Sequence, residues 1–185
     1  MLTILSAAVA LLVIGFVARV LTRPDSFRVE RSAVISAPAD RIYPLLTDFH
    51  QWPRWSPWEK LDPAMQRNFS GANEGPGAVY AWSGNKKAGE GRMEITAAEP
   101  PRSLEIQLEF IRPFPARNRI DFTLTPEGDR TRIVWGMQGR NNLGSKVMQA
   151  VINMDRLVGG DFDRGLANLK ELAEGPVSGD AAARS

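Results

Sequence analysis

Residues 52–58 read WPRWSPW, and Trp52, Trp55 and Trp58 are three of the five tryptophans in the chain. Indoles offer broad apolar faces and a single N–H donor, so their natural chemistry is binding. Pro53 and Pro57 stiffen the segment, and a stiff aromatic wall takes up an apolar molecule with little loss of entropy. Groups able to move a proton are few. The single histidine, His50, lies beside the tryptophans. Asp155 falls inside an apolar helical stripe, where desolvation would raise its pKa and suit it to general acid–base work. Each also has a plainer reading, which is preferred. A break at Gly159–Gly160 would reset the helix phase and leave Asp155 wet, and a lone histidine is usually a surface or helix-end residue. No catalytic residue is assigned; Asp155 and His50 are the candidates if a reaction is run.

The chain of 185 residues contains no cysteine, so disulfides, thiolate catalysis and cysteine-ligated metals are excluded. No metal site and no cofactor are expected. The glycine-rich GPG at 75–77 and GEG at 89–91 lack the lysine and the serine or threonine of a phosphate loop. The net charge is +2, and Lys86–Lys87 is the one adjacent basic pair, so no nucleic-acid partner is expected.

The elements that must position these groups follow from periodicity. Residues 1–18 carry no charged side chain. As a helix, residues 1–21 would be about 30 Å long, the hydrocarbon thickness of a bilayer. They lack the basic start and small-residue cleavage site of a secretion signal, so a transmembrane anchor is expected over 1–21. Arg19, Arg23, Arg28 and Arg31 then place the domain on the cytoplasmic side of a single-pass membrane protein. The linker at 22–26 spans roughly 17 Å fully extended, which holds the domain near the lipid.

Segment 27–36 alternates as a strand. Ser36 can cap a helix with Pro38 in its early turn and Ile42, Leu45, Leu46 and Phe49 on one face. Pro53 and Pro57 should end helical order, so the three tryptophans should point in different directions. A meander follows, with strands at 65–70, 77–84, 91–100, 103–111, 117–126 and 131–139. One face carries Tyr80 and Trp82; Met93, Ile95 and Ala97; Leu104, Ile106, Leu108 and Phe110; Ile120, Phe122 and Leu124; and Ile133, Trp135 and Met137. Polar residues such as Glu94, Arg117, Arg119 and Asp121 take the other face, the pattern of an antiparallel sheet wetted on one side. PEGDR at 126–130 is a hairpin turn. A helix over about 144–173 carries a stripe of Met148, Val151, Ile152, Val158, Phe162, Leu166, Leu169 and Leu172. Residues 175–185 form a small, polar tail expected to be disordered.

Strand, helix, six strands and long helix define an α+β class, with the last helix laid across a curved sheet. VERSAVISAPADRIYPLLTDFHQWPRWSPW (29–58), GPGAVYAWSGN (75–85) and MDRLVGGDFDRGLANLKELAE (154–174) carry a resemblance over nearly the whole of 27–174. The chain resembles the START-like (Bet v 1-like, SRPBCC) superfamily, and within it the bacterial polyketide cyclase/dehydrase-like group. That resemblance implies a helix-grip fold, in which a curved antiparallel sheet wraps the C-terminal helix and leaves an elongated apolar cavity. It also implies a hydrophobic small molecule or lipid as partner, and carries over no catalytic set. The candidate cavity residues are Trp52, Trp55, Trp58, Tyr80, Trp82, Phe110, Phe122, Trp135, Met137, Met148, Ile152 and Phe162. The tryptophans of 52–58 are expected mainly to plug one end of the sheet, with one or two of them lining the cavity. The expected function is a membrane-anchored domain that binds an apolar molecule. The alternatives are a polyketide cyclase or aromatase and a protein-interaction domain.

Overall fold

The computed structural model describes residues 2–141, 144, 146, 147 and 154–176. Helix α1 spans Leu2–Leu21. Its described side chains are Ser6 and residues 10–21, and Leu11, Leu12, Ile14 and Leu21 all stand exposed. Among the described residues no helix is long and apolar enough to cross a membrane. A transmembrane helix over 1–21 is therefore an expectation from the sequence that the described part of α1 does not show.

Seven strands follow in one antiparallel sheet: β1 (Ser26–Ile35), β2 (Gln66–Gly71), β3 (Ala78–Ser83), β4 (Glu90–Glu99), β5 (Ser103–Arg112), β6 (Ala116–Glu127) and β7 (Arg130–Arg140). Their order is β1-β7-β6-β5-β4-β3-β2, so the chain meanders from β2 to β7 and β1 closes on the last strand. Register decides which side chains meet. Val29 pairs with Met137, Phe122 with Trp135, Ile106 with Ile120, and Tyr80 with Phe69. Because strand side chains alternate, these residues share the inner face. The outer face holds ion pairs: Arg28 with Glu30 and Asp121, Arg92 with Glu94, Arg117 with Glu109, and Arg119 with Glu105. Such exposed pairs set the sheet's polarity more than its stability.

One phase differs from the alternation expected at 91–100. A bulge lies between Ile95 and Ala97, after which Ala97 opposes Glu105 and Ala98 opposes Leu104. Ala98 packs on the core and Ala97 is exposed, the reverse of the expectation. An extra residue in one strand shifts everything beyond it to the other face.

Helix α2 spans Ala39–Thr47 and buries Ile42, Tyr43 and Leu46. Pro38 occupies its N-cap position with no side-chain cap, so Ser36 does not serve there. The Ser36 N–H instead donates to Glu174 Oε1 at 2.6 Å. The chain then turns through two short 3-10 helices, Phe49–Arg54 and Pro57–Lys60. Helix α3 spans Met154–Glu174 and runs unbroken through Gly159 and Gly160. It buries Phe162, Leu166 and Leu169 against the inner face of the sheet. Lys170 Nζ donates to Val34 O of β1 at 2.9 Å, tying α3 to the sheet, and the Arg41 cation donates to Gly175 O just beyond the carbonyl-rich end of α3. The expected stripe residues Met148, Val151 and Ile152 lie outside the described residues, as does the tail from 177.

Gly159 and Gly165 allow α3 to lie close to the sheet. A Cβ on Gly165 would stand 2.7 Å from the Trp135 ring. A Cβ on Gly159 would stand 2.0 Å from the Arg31 guanidinium. Arg31 sits opposite Trp135 on the inner face and holds the start of α3, donating to the two Asp155 carboxylate oxygens at 2.9 and 3.0 Å.

Candidate functional site: an apolar cavity at one end of the sheet

The 52–58 segment places its rings differently from the expectation. Trp52 and Trp55 do share a face, because a 3-10 turn has three residues and eclipses positions i and i+3. Their ring centroids are 4.8 Å apart. Pro53 lies inside the first 3-10 helix and Pro57 opens the second, so neither proline ends helical order. The Trp52 and Trp55 indole N–H groups donate to Leu46 O at 3.1 Å and Leu45 O at 3.0 Å. The last carbonyls of a helix lack internal partners, and here the two tryptophans supply them to α2. Asn168 Nδ2 adds a bond to Trp55 O at 2.9 Å, tying α3 to the same knot.

The rings continue inward. Trp135 stacks on Phe162 at 4.1 Å and takes Trp55 and Trp58 edge-on, each at 5.6 Å. Phe122 lies 5.1 Å from Trp135. This end of the interior is solid. The Trp135 N–H is buried there without a hydrogen-bond partner among the described residues.

Toward the other end the interior opens into a cavity of about 780 Å³. That volume falls in the range of small-molecule sites. Of the sequence candidates, Trp52, Trp58, Tyr80, Trp82, Phe110, Met137 and Phe162 line it. Trp55, Phe122 and Trp135 do not; they are core. Met148 and Ile152 lie outside the described residues. The wall also includes Met65, Met93, Leu108 and Ile120, flexible or aliphatic chains. Trp82 lies flat because Gly91 faces it: a Cβ there would stand 2.6 Å from the ring. The Trp82 N–H donates to Ala88 O at 3.0 Å, fixing the 84–89 loop beside the cavity.

Buried polar groups in the wall are few and neutral. Ser56 and Asn118 are buried polar residues of the lining. Asn118 is 7% exposed and its amide lies over Gly139, where a Cβ would stand 2.1 Å from Oδ1. Sequence reasoning missed Asn118. The signal is its position two residues before Ile120, in phase with the inner face of β6. Tyr80 donates its hydroxyl hydrogen to buried Glu59 Oε1 at 2.6 Å, while Arg67 Nε holds Oε2 at 2.6 Å. Burial, reinforced by the Glu59 carboxylate, pushes the Tyr80 phenol well above its ordinary value. It stays protonated and acts as a clamp.

The two proton-transfer candidates are not in the cavity wall. Asp155 is exposed and paired with Arg31, whose hydrogen bonds hold its carboxyl below the usual range. It is wet without any break in α3. His50 is also exposed; it stacks on Phe69 at 4.2 Å and its Nδ1 lies 2.8 Å from Asp48 Oδ1. Among the described residues no group of three or more His, Asp or Glu could hold a metal ion.

A curved antiparallel sheet gripping a C-terminal helix around an apolar hollow defines a helix-grip, START-like (SRPBCC) protein. The chain belongs to the family described as polyketide cyclase / dehydrase and lipid transport, whose model matches residues 26–174. Solved structures agree at the level of fold. A Chromobacterium violaceum protein, CV1439, shares 16% identity at a TM-score of 0.58, covering 83% of this chain and 100% of its own. The Aha1 dimer of Colwellia psychrerythraea gives 15% and 0.58, covering 80% and 96%. Ara h 8.0201 gives 15% and 0.54, covering 80% and 97%. No curated relative matches the sequence.

Proposed function

We propose that this protein is a binding domain that holds a lipid-like or other apolar small molecule in the cavity, with α1 tethering it to a membrane on the cytoplasmic side. The observation that carries the binding role is the hollow of about 780 Å³ with an aromatic and methionine wall, left open beside a solidly packed core. Interiors close-pack wherever side chains allow, so a gap this size is a feature of the fold. The tether is supported by the uncharged run at 1–18 and by the exposed apolar side chains of α1.

Native mass spectrometry on protein extracted from membranes and freed of detergent tests the binding role. Apolar molecules are expected to co-purify, and delipidated protein should take up cis-parinaric acid with a rise in fluorescence. A protein that emerges empty and leaves the probe dark would sink the reading.

A further inference from the structure

The cavity has a mouth, and the elements at that mouth are those nearest α1. After α1 the chain passes through Thr22–Asp25 into β1. The Asn141 N–H donates to Asp25 O at 2.8 Å and Asn141 Nδ2 to Pro24 O at 2.9 Å. Lys146 holds the Asp25 carboxylate at 2.6 Å and lowers its pKa. Phe27, Arg140 and Asn141, the residues adjoining this stitched linker, line the cavity. The base of α1 is therefore fixed beside the opening.

Exposed apolar side chains gather there too. Outside α1 the exposed large hydrophobics among the described residues are Leu61, Ile111, Phe114 and Val147. Leu61 (38% exposed), Phe114 (72%) and Val147 (41%) all belong to the cavity lining. A solvent-facing phenylalanine on the β5–β6 turn stabilises nothing in the isolated domain; clustered exposed apolar groups mark a contact surface. Lys87 and Arg140 stand among them, with Lys86 next in the chain, and the acidic lining residue Asp161 is neutralised by Arg164. Apolar groups ringed by cations are the make-up of a surface that settles into lipid headgroups.

We propose that the mouth of the cavity docks on the bilayer surface, with Leu61, Phe114 and Val147 seated in the headgroup layer, so that the guest passes between lipid and cavity without crossing water. The reach fits. Four linker residues span at most roughly 14 Å, and their tie to Asn141 shortens that, against a headgroup layer of roughly 5–8 Å. This inference rests on the tether and binding roles proposed above, and adds the orientation of the domain and the route of the guest.

The absence of cysteine makes the test clean. Full-length Phe114→Cys, Val147→Cys and Asp129→Cys are each labelled with an NBD fluorophore and reconstituted in phosphatidylcholine–phosphatidylglycerol vesicles. Asp129 lies on the β6–β7 turn at the far end of the sheet. The labels at 114 and 147 should be blue-shifted, quenched by nitroxide-labelled lipid, and bleached by dithionite several-fold more slowly than the label at 129. Equal bleaching at all three sites overturns the proposal. So does protection from dithionite without quenching by lipid, which would make the rim a protein interface. Uptake of cis-parinaric acid is read separately on the same variants. Protein that binds the probe but keeps position 114 in water loses this inference and keeps the binding role. Protein that seats position 114 in lipid but binds no probe does the reverse.

Discussion

The two ends of the interior are built on the same strands and differ in what covers them. At one end α2 and the 3-10 turns roof the sheet, and Trp52, Trp55, Phe122, Trp135 and Phe162 fill the space ring against ring. At the other end the inner face carries Gly91, Gly139 and Asn118 among its aromatics. Without Cβ atoms at 91 and 139, Trp82 and Asn118 lie down against the sheet, and space opens above them. An apolar inner face is therefore not the same as a filled one. What decides is whether rings or glycines occupy that face.

The largest expected break in this contrast is at the solid end. Trp135→Ala removes a fully buried ring in stacked contact with Phe162 and should cost about 3–5 kcal/mol in urea unfolding. Trp135→Phe should cost much less, because it also removes a buried N–H that has no partner among the described residues. A loss near 1 kcal/mol or below for the alanine variant would mean that this end is not the core it is taken to be.

The next test uses two glycines of one helix. Gly165→Ala drives a methyl group into Trp135 and should destabilise by about 1–3 kcal/mol. At Gly160 a Cβ finds only Arg164, 3.9 Å away, so Gly160→Ala should stabilise by up to about 1 kcal/mol through helix propensity. Two melts of opposite sign are expected; equal signs would refute the close approach of α3 to Trp135.

At the hollow end the effects fall on the guest. Asn118→Leu should leave stability nearly unchanged. In competition with cis-parinaric acid it should weaken a long-chain alcohol by about 2–10-fold, the worth of one net hydrogen bond, and spare an alkane of the same length. A uniform loss for both competitors would assign Asn118 to shape alone.

The smallest effect is electrostatic. Arg31 hydrogen bonds hold the Asp155 carboxyl below its ordinary 3.8. A carboxylate with a depressed folded-state value contributes stability above the unfolded value, and that contribution fades as pH falls through the lowered one. NMR titration should therefore place the Asp155 midpoint below 3.8 and return it to the ordinary value in Arg31→Gln. An unchanged midpoint would show that this tie is broken in solution.

Periodicity alone determined the elements and their polarity, because a strand repeats every two residues and a helix every 3.6 wherever one face is buried. Ile120, Phe122 and Leu124, or Phe162, Leu166 and Leu169, declare their faces without any knowledge of a partner. Four features became legible only in three dimensions. The bulge after Ile95 leaves no mark on composition. The shared face of Trp52 and Trp55 depends on a 3-10 turn that the prolines seemed to forbid. The separation of the aromatic candidates into core (Trp55, Phe122, Trp135) and wall (Trp58, Tyr80, Trp82, Phe110) depends on which rings border the hollow. The pairing of Asp155 with Arg31, more than a hundred residues away in sequence, leaves no mark on periodicity. Hydrophobicity is a property of a side chain and is written in the sequence. An unfilled volume belongs to the distance between layers, which only the folded chain sets.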